Sequence, residues 1–229
     1  IKQQQPLAIV FDILFSEKDL YRPDADSYFN EVLAEMDNVF FPVLEQNIRQ
    51  SDGQLLHEFP IELGLQLGPQ ANKAARTSFV LPLAVEKDHW QVGTINFSAS
   101  ADGIGRHYDV FRNIEGWRIK SLPAQVIHSL GFELPDNERI LLQWRGNYQQ
   151  PFKTLSYADV YLAIQNNDLD FLEQLNSKII IIGATASGLF DARTTPINSM
   201  LAGVYMLATA IDNLKNNDYL QNLYLNQMH

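Results

Sequence analysis

The residues best placed to do chemistry in this chain follow a short β-branched run near its carboxyl end. Residues 178–183 read Lys-Ile-Ile-Ile-Ile-Gly, which predicts a fully buried, parallel and central strand. The loop after this run carries Thr185, Ser187, Asp191 and Thr195. Loops beyond the carboxyl ends of strands bind ligands in open α/β sheets. These side chains are therefore candidates for holding a small polar ligand, although loop hydroxyls serve equally well to satisfy backbone groups in a tight turn.

A second candidate group closes the first predicted strand. The apolar run 7–11 ends in Asp12, and Phe15 follows three residues later. A carboxylate at the end of a strand lies where ligands are held. The alternative is structural, with Asp12 accepting backbone N–H bonds from the turn at residues 16–17. Asp12 and Phe15 complete the set of candidate ligand-binding residues.

Several kinds of catalysis do not fit the sequence. Around Ser187, the two glycine positions of the serine-hydrolase motif hold Thr185 and Leu189, and no phosphate-binding G-K-[ST] sequence occurs. The chain has no cysteine, and its five histidines lie far apart, which is unlike the spacing of metal ligands. The sequence therefore predicts no catalytic residue, no metal site and no cofactor.

The composition limits the partners and the location. The chain has 17 basic and 27 acidic residues, a net charge of −10, which argues against a nucleic-acid partner. No apolar run reaches the roughly 18 residues of a membrane span. The chain starts at Ile1 rather than a methionine and opens almost directly into a strand. We expect residues 1–229 to form one domain of a longer protein.

The order of predicted elements indicates an α/β fold with a mainly parallel central sheet flanked by helices. An irregular insertion is expected around 45–80, and an antiparallel hairpin around 91–112. Residues 156–159 have the spacing of a capping box. Hydrophobic periodicity and turn residues predict these strands and helices: strands at 7–11, 39–43, 92–97, 106–111, 139–144 and 178–183, and helices at 24–36, 121–130, 156–164, 168–175 and 203–215.

Several motifs, in order along the chain, together resemble one family. The sequence Phe-Asp-Ile-Leu-Phe-Ser-Glu-Lys-Asp at 11–19 resembles the opening motif of the CHASE domain of type two, a bacterial extracellular sensory module. Further matches lie in order as far as residue 214: the strand at 38–42, the glycine-rich stretch at 93–106, the helix start at 155–160, and the final strand, loop and helix at 178–214.

The resemblance implies an extracellular or periplasmic sensor, which is part of an inner-membrane receptor with a cytoplasmic cyclase, diguanylate cyclase or histidine kinase output. It implies an unidentified small-molecule ligand and no enzymatic activity. The early strand and helix that precede the opening motif in the family are absent here, which predicts an open sheet edge beside the strand at 7–11 and pairing with another copy in a homodimer. Two alternatives remain: an α/β hydrolase or transferase using Asp12 or Asp191 as acid or base, and a structural spacer without a ligand.

Overall fold

A computed structural model describes residues 1–145, 152–185 and 191–220 of the chain. Its strands have the following bounds: β1 Ala8–Phe11, β2 Val39–Gln46, β3 Gln54–Leu55, β4 Gln66–Leu67, β5 Arg76–Val80, β6 Val92–Thr94, β7 His107–Asp109, β8 Phe111–Ile114, β9 Trp117–Lys120, β10 Arg139–Leu141, β11 Ile179–Ile182, β12 Ala192–Arg193 and β13 Leu201–Ala202. Its α-helices have these bounds: α1 Pro23–Leu33, α2 Leu122–Ser129, α3 Tyr157–Gln165, α4 Leu169–Glu173 and α5 Gly203–Asn216.

The central sheet contains both parallel and antiparallel pairs of strands. Its strands follow the order β11-β1-β2-β5-β3, and β6 also pairs with β2. The pairs β1–β11, β1–β2 and β2–β6 are parallel, whereas β2–β5 and β3–β5 are antiparallel. The antiparallel part exists because β2 continues past its pairing with β1 and takes β5 as a further partner. The predicted α/β class is confirmed, and the central sheet is mixed, with three parallel and two antiparallel pairs of strands.

Strand β11 is parallel, as predicted, but it is neither central nor fully buried. It pairs with β1 from Ala8↔Ile179 to Phe11↔Ile182 and ends the sheet. All four of its isoleucines are only half-buried, because a strand at the edge of a sheet has neighbours on one side only. Strand β1 is flanked on both sides, so the predicted open edge lies at β11 instead.

The segment from 45 to 112 differs from the sequence prediction in two ways. The predicted irregular insertion contains strands β3 and β5, which extend the central sheet. The predicted hairpin is not formed, because β6 pairs with β2 and β7 pairs antiparallel with β10. A hairpin forms later, between β8 and β9. Its turn places Glu115 and Gly116 at φ 49° and 87°, the positive values that two-residue hairpin turns favour.

The predicted helices are present, and side-chain caps begin two of them, α2 and α4. Ser121 precedes α2 and its hydroxyl accepts a hydrogen bond from the Ala124 N–H at 3.4 Å, while Gly131 lies beyond the end of α2 at φ 85°. Asp168 caps α4 by accepting the Phe171 N–H at 3.0 Å. The capping box predicted for α3 is wrong, since Ser156 makes no side-chain capping bond.

Two large hydrophobic cores lie on the two faces of β1. Ala8 and Val10 pack with α2 and α5, whereas Ile9 and Phe11 pack with α1 and the 56–92 region. This division follows from the alternation of side chains along a strand. A smaller core joins α3 and α4 to Ile180 of β11.

Candidate functional site

Asp12 lies where β1, β11 and α5 approach one another. Its backbone N–H donates to the Ile182 carbonyl oxygen at 2.8 Å, which continues the β1–β11 ladder by one residue. By the alternation of β1, the Asp12 side chain follows Val10 on the face of the sheet that α5 covers. A Cβ atom at Gly183 would lie 3.1 Å from Asp12 Cβ and 2.8 Å from Val204 Cγ2. Only glycine allows these three segments to meet so closely.

Asp191 lies at the start of α5, near the same end of the sheet as Asp12. Its carbonyl oxygen accepts the Gly203 N–H at 2.9 Å. Its carboxylate pairs with the guanidinium of Arg193, which follows it on β12 after one intervening residue. Both the positive end of the α5 dipole and this arginine stabilise the negative charge of Asp191.

Electrostatics links Asp12 to Asp191. Burial raises the pKa of the Asp12 carboxyl above its usual 3.8, the nearby Asp191 carboxylate raises it further, and Arg193 partly opposes the rise. Burial also raises the pKa of Tyr108 on β7, and the Asp12 charge adds to that rise. The structure therefore brings two carboxyl groups, a phenol and a guanidinium within electrostatic range of one another.

The loop that carries Asp191 and Arg193 is docked against the chain after β6. The Arg193 guanidinium lies 4.5 Å from the centroid of the Phe97 ring, a cation–π contact. The Gly105 N–H donates to the Thr194 carbonyl oxygen at 2.7 Å. A Cβ atom at Gly105 would lie 2.8 Å from Phe97 Cζ. Gly105 therefore permits the packing that positions Arg193.

Thr195 maintains the shape of this loop. It is buried, its hydroxyl donates to the Asn198 carbonyl oxygen at 2.9 Å, and the Asn198 N–H donates back to the hydroxyl at 3.1 Å. Thr185 is exposed just beyond β11. Ser187 lies outside the described residues. Of the loop candidates, the structure brings Asp191 close to Asp12 and uses Thr195 to brace the turn.

Phe15 lies on the opposite face of the sheet from the expected site. Its ring packs 5.1 Å from Phe11, 5.4 Å from Phe29 and 5.6 Å from Phe41 by centroid distance. We call these four residues the aromatic cluster. Phe15 also bonds through its carbonyl oxygen to the Ala84 N–H at 3.1 Å. In the structure, Phe15 contributes to packing against α1 and is separate from the carboxyl groups of Asp12 and Asp191.

Sequence reasoning missed Arg193, Tyr108 and Phe97. One signal was available for Arg193: residues two apart on a strand share a face, so an arginine two positions after Asp191 is placed to pair with it. Tyr108 and Phe97 gave no comparable signal. Their positions depend on β7 pairing with β10 and on the close approach at Gly105, and local spacing does not predict either contact.

Two further properties concern metals and membranes. Within residues 1–145, 152–185 and 191–220, no group of three or more His, Asp and Glu side chains is arranged to hold a metal ion. No helix in the same ranges is long and apolar enough to cross a bilayer.

Comparison with known proteins defines the class of this domain. The CHASE2 domain family model matches residues 1–227, and the chain belongs to that family. CHASE2 domains are sensory rather than catalytic modules of signalling proteins; they are generally extracytoplasmic and are found in membrane receptors. No curated protein and no solved structure matches the chain. The suggested resemblance is confirmed.

Proposed function

We propose that this chain is the extracytoplasmic sensor domain of a bacterial transmembrane receptor and that it binds a small polar ligand at the carboxyl ends of β1 and β11. Ligand binding would shift the domain between two arrangements and so regulate a cytoplasmic cyclase or kinase. Asp12 and Asp191 contact the ligand, together with Thr185 and Ser187. Thr195 holds the loop, and Phe15 anchors the chain after β1 from the other face.

One observation carries this proposal: the Asp12 carboxyl is half-buried beside a second carboxylate, and its pKa is raised. Burying a charge in this way costs stability unless a partner compensates. Within the described residues, Arg193 offsets only part of that cost and is itself paired with Asp191. A ligand that donates hydrogen bonds to Asp12 would supply the missing compensation. The binding energy of such a ligand would then depend on the relative positions of β1, β11 and α5.

The alternative function for this geometry is an enzyme that uses acid–base catalysis. Two carboxyl groups with different environments are a common catalytic arrangement, and Asp12 and Asp191 approach each other. The family, however, is a sensory one. The Thr195 hydroxyl in the same loop is engaged with Asn198 and so is not poised as a nucleophile. Sensing explains the buried carboxyl without requiring a second reacting group.

A thermal-shift screen of the 229-residue chain against small polar metabolites tests the proposal. A true ligand raises the melting temperature by mass action, with a gain of about 2.7 kcal/mol at a hundredfold excess over its Kd. Asp191→Ala should remove this shift. The matched control is Asp136→Ala, an exposed aspartate on the chain after α2, which should keep it.

The same two substitutions, made in the parent receptor, test whether ligand binding controls the output activity. Asp191→Ala should make the cyclase or kinase activity insensitive to the ligand, and Asp136→Ala should leave the response intact. If no metabolite shifts the melting temperature and Asp191→Ala leaves signalling unchanged, the ligand-sensing proposal is wrong and the domain acts as a spacer. If the chain turns over a substrate and Asp12→Asn abolishes that turnover, the domain is instead an acid–base enzyme.

A further inference from the structure

The Asp12 carboxyl of the proposed site is half-buried and lacks a hydrogen-bond donor. Its backbone N–H donates to the Ile182 carbonyl oxygen, but among the described residues no N–H or O–H group donates to the oxygens of its side chain. Burial is the largest cause of its raised pKa. The carboxylate has therefore lost part of its hydration without gaining a donor from the protein.

Arg193, the cation whose charge acts on Asp12, is held by other partners. Its guanidinium pairs with the Asp191 carboxylate and lies 4.5 Å from the centroid of the Phe97 ring. Among the described residues, no ion pair joins Arg193 to Asp12. Asp191 and Phe97 together fix the guanidinium in a position where it neutralises Asp191 and leaves Asp12 without a direct partner.

The charges around this site leave one negative charge uncompensated. Asp12 and Asp191 carry two negative charges, and Arg193 carries one positive charge. Arg106, on the chain segment that contacts the Arg193 loop, is already paired with Asp102 at 2.8 Å. Outside residues 1–145, 152–185 and 191–220, the sequence contains no Asp, Glu, Lys or Arg, so those segments add no such charge. An anionic ligand is therefore repelled by this site, and a cationic one is attracted.

We infer that the ligand of this site is a small organic ammonium ion whose N–H groups donate to the Asp12 carboxylate, an inference that rests on the function proposed above. An ammonium group carries one positive charge, which matches the one uncompensated carboxylate, and its N–H groups form charge-assisted hydrogen bonds. A metal ion fits less well. Within the described ranges, no three His, Asp and Glu side chains are grouped to hold one, whereas Ca²⁺ takes roughly six to eight oxygen ligands.

Asp191 serves this ligand in two ways. Its negative charge adds to the attraction for a cation, and its ion pair keeps Arg193 from neutralising Asp12. Asp191→Ala removes both contributions, because the freed guanidinium competes with the ammonium group for Asp12. Asp12→Asn removes the acceptor charge itself and keeps the size of the side chain. Both substitutions should therefore weaken the binding of an amine.

A thermal-shift panel of the 229-residue chain with matched compounds tests the inference. Each amine is paired with the alcohol and the carboxylate of similar carbon skeleton: ethanolamine with ethylene glycol and glycolate, putrescine with 1,4-butanediol and succinate, and phenethylamine with 2-phenylethanol and phenylacetate. Primary amines are protonated at pH 7, since their pKa is about 10. At least one amine should raise the melting temperature, and its alcohol and carboxylate counterparts should not.

Isothermal titration calorimetry with the amine that gives the largest shift then locates the site. Asp12→Asn and Asp191→Ala should each weaken binding about tenfold or more, because a charge-assisted hydrogen bond is lost or blocked. Asp136→Asn, at an exposed position, is the matched control and should bind like the unmodified chain. The unfolding midpoint of each variant, measured by circular dichroism, shows that the protein is folded before binding is compared.

The possible outcomes separate this inference from the proposed function. An alcohol or carboxylate whose shift is lost in Asp12→Asn would overturn the choice of an ammonium ion and leave the sensor site standing. Equal weakening of amine binding by Asp136→Asn and Asp12→Asn, or no weakening by Asp12→Asn, would overturn the inference. A shift with calcium chloride that Asp12→Asn abolishes would make the occupant a metal ion. If no amine shifts the melting temperature, the inference is wrong, and the wider metabolite screen decides the proposed function.

Discussion

Phe11 and Asp12 are consecutive residues, yet they serve two very different regions of the molecule. Phe11 joins the aromatic cluster of Phe15, Phe29 and Phe41 on the α1 side, with all ring centroids within 5.1–6.2 Å. Asp12 lies on the α5 side beside Asp191. The same strand end therefore places aromatic rings on one face and a carboxyl group with a raised pKa on the other, because side chains alternate along a strand.

The difference separates a region that stabilises the fold from the region that we propose to bind the ligand. Aromatic rings gain free energy by burial and by edge-to-face contacts. A half-buried carboxyl beside another carboxylate loses free energy on folding. Substitutions on the aromatic face should therefore lower stability without a specific effect on ligands, whereas removal of the Asp12 charge should affect ligand binding without lowering stability.

Phe41→Ala should have the largest effect on stability. Phe41 is fully buried and contacts each of the other rings of the aromatic cluster, so its removal leaves a cavity that costs about 3–5 kcal/mol of unfolding free energy. Urea denaturation followed by circular dichroism measures this loss. Tyr28→Ala on α1 is the control, because Tyr28 is 69% exposed and should change stability by about 0.5 kcal/mol or less. Similar losses for both would show that the cluster is not a stabilising core.

Gly183→Ala tests the close approach between the two strands and α5. The added methyl group would lie 2.8 Å from Val204 Cγ2 and 3.1 Å from Asp12 Cβ, so overpacking should cost about 1–3 kcal/mol. The same urea experiment measures it. Ala184→Ser, at the exposed neighbouring position, should be close to neutral. An unaffected Gly183→Ala variant would mean that β11 and α5 separate easily at this point.

Asp12→Asn should stabilise the domain at neutral pH. The pKa of Asp12 is raised in the folded state, so its charged form is penalised by folding at any pH above that raised value. The penalty disappears as the pH falls below 3.8, the usual value for this group. The variant should therefore be more stable than the unmodified chain at pH 7 and equal to it below pH 3.8, as urea denaturation across pH can measure. Asp136→Asn, a substitution of the same chemistry at an exposed position, is the control for the loss of one carboxylate. Lower stability of Asp12→Asn at pH 7 would mean that partners favour the Asp12 charge.

Asp102→Asn should have the smallest effect and the opposite sign. The Arg106 guanidinium bonds to Asp102 at 2.8 Å and lowers the pKa of that carboxyl to about 2. Its contribution to stability is present above pH 3.8 and is lost as the pH falls towards 2. The variant should be slightly less stable at pH 7, and salt should reduce the difference because the pair is exposed. Thermal melts at low and high ionic strength measure it, and a salt-independent loss would contradict a surface ion pair.

Local patterns predicted much of the fold and part of the site. The apolar run at 7–11, the β-branched run at 179–182 and the periodic helices α1, α2 and α5 all form, because burial of their apolar faces agrees with their spacing. The edge position of β11 and the pairing of β6 with β2 were not predictable, since a strand's neighbours are chosen by contacts between distant segments. Asp12 and Asp191 were identified singly. Their approach to each other, and the roles of Arg193 and Tyr108, depend on those same distant contacts.

The sequence by itself determined the positions of the helices and of several strands, the CHASE2 family, and the acidic residues at the strand ends. These properties are local, since hydrophobic period, turn residues and short motifs act within a few residues of the chain. Tertiary structure alone decided that Asp12 and Phe15 lie on opposite faces, that Arg193 packs on Phe97, and that Asp191 raises the pKa of Asp12. Such properties depend on distances across the fold, and the burial and charge interactions that produce them arise only when remote segments pack together.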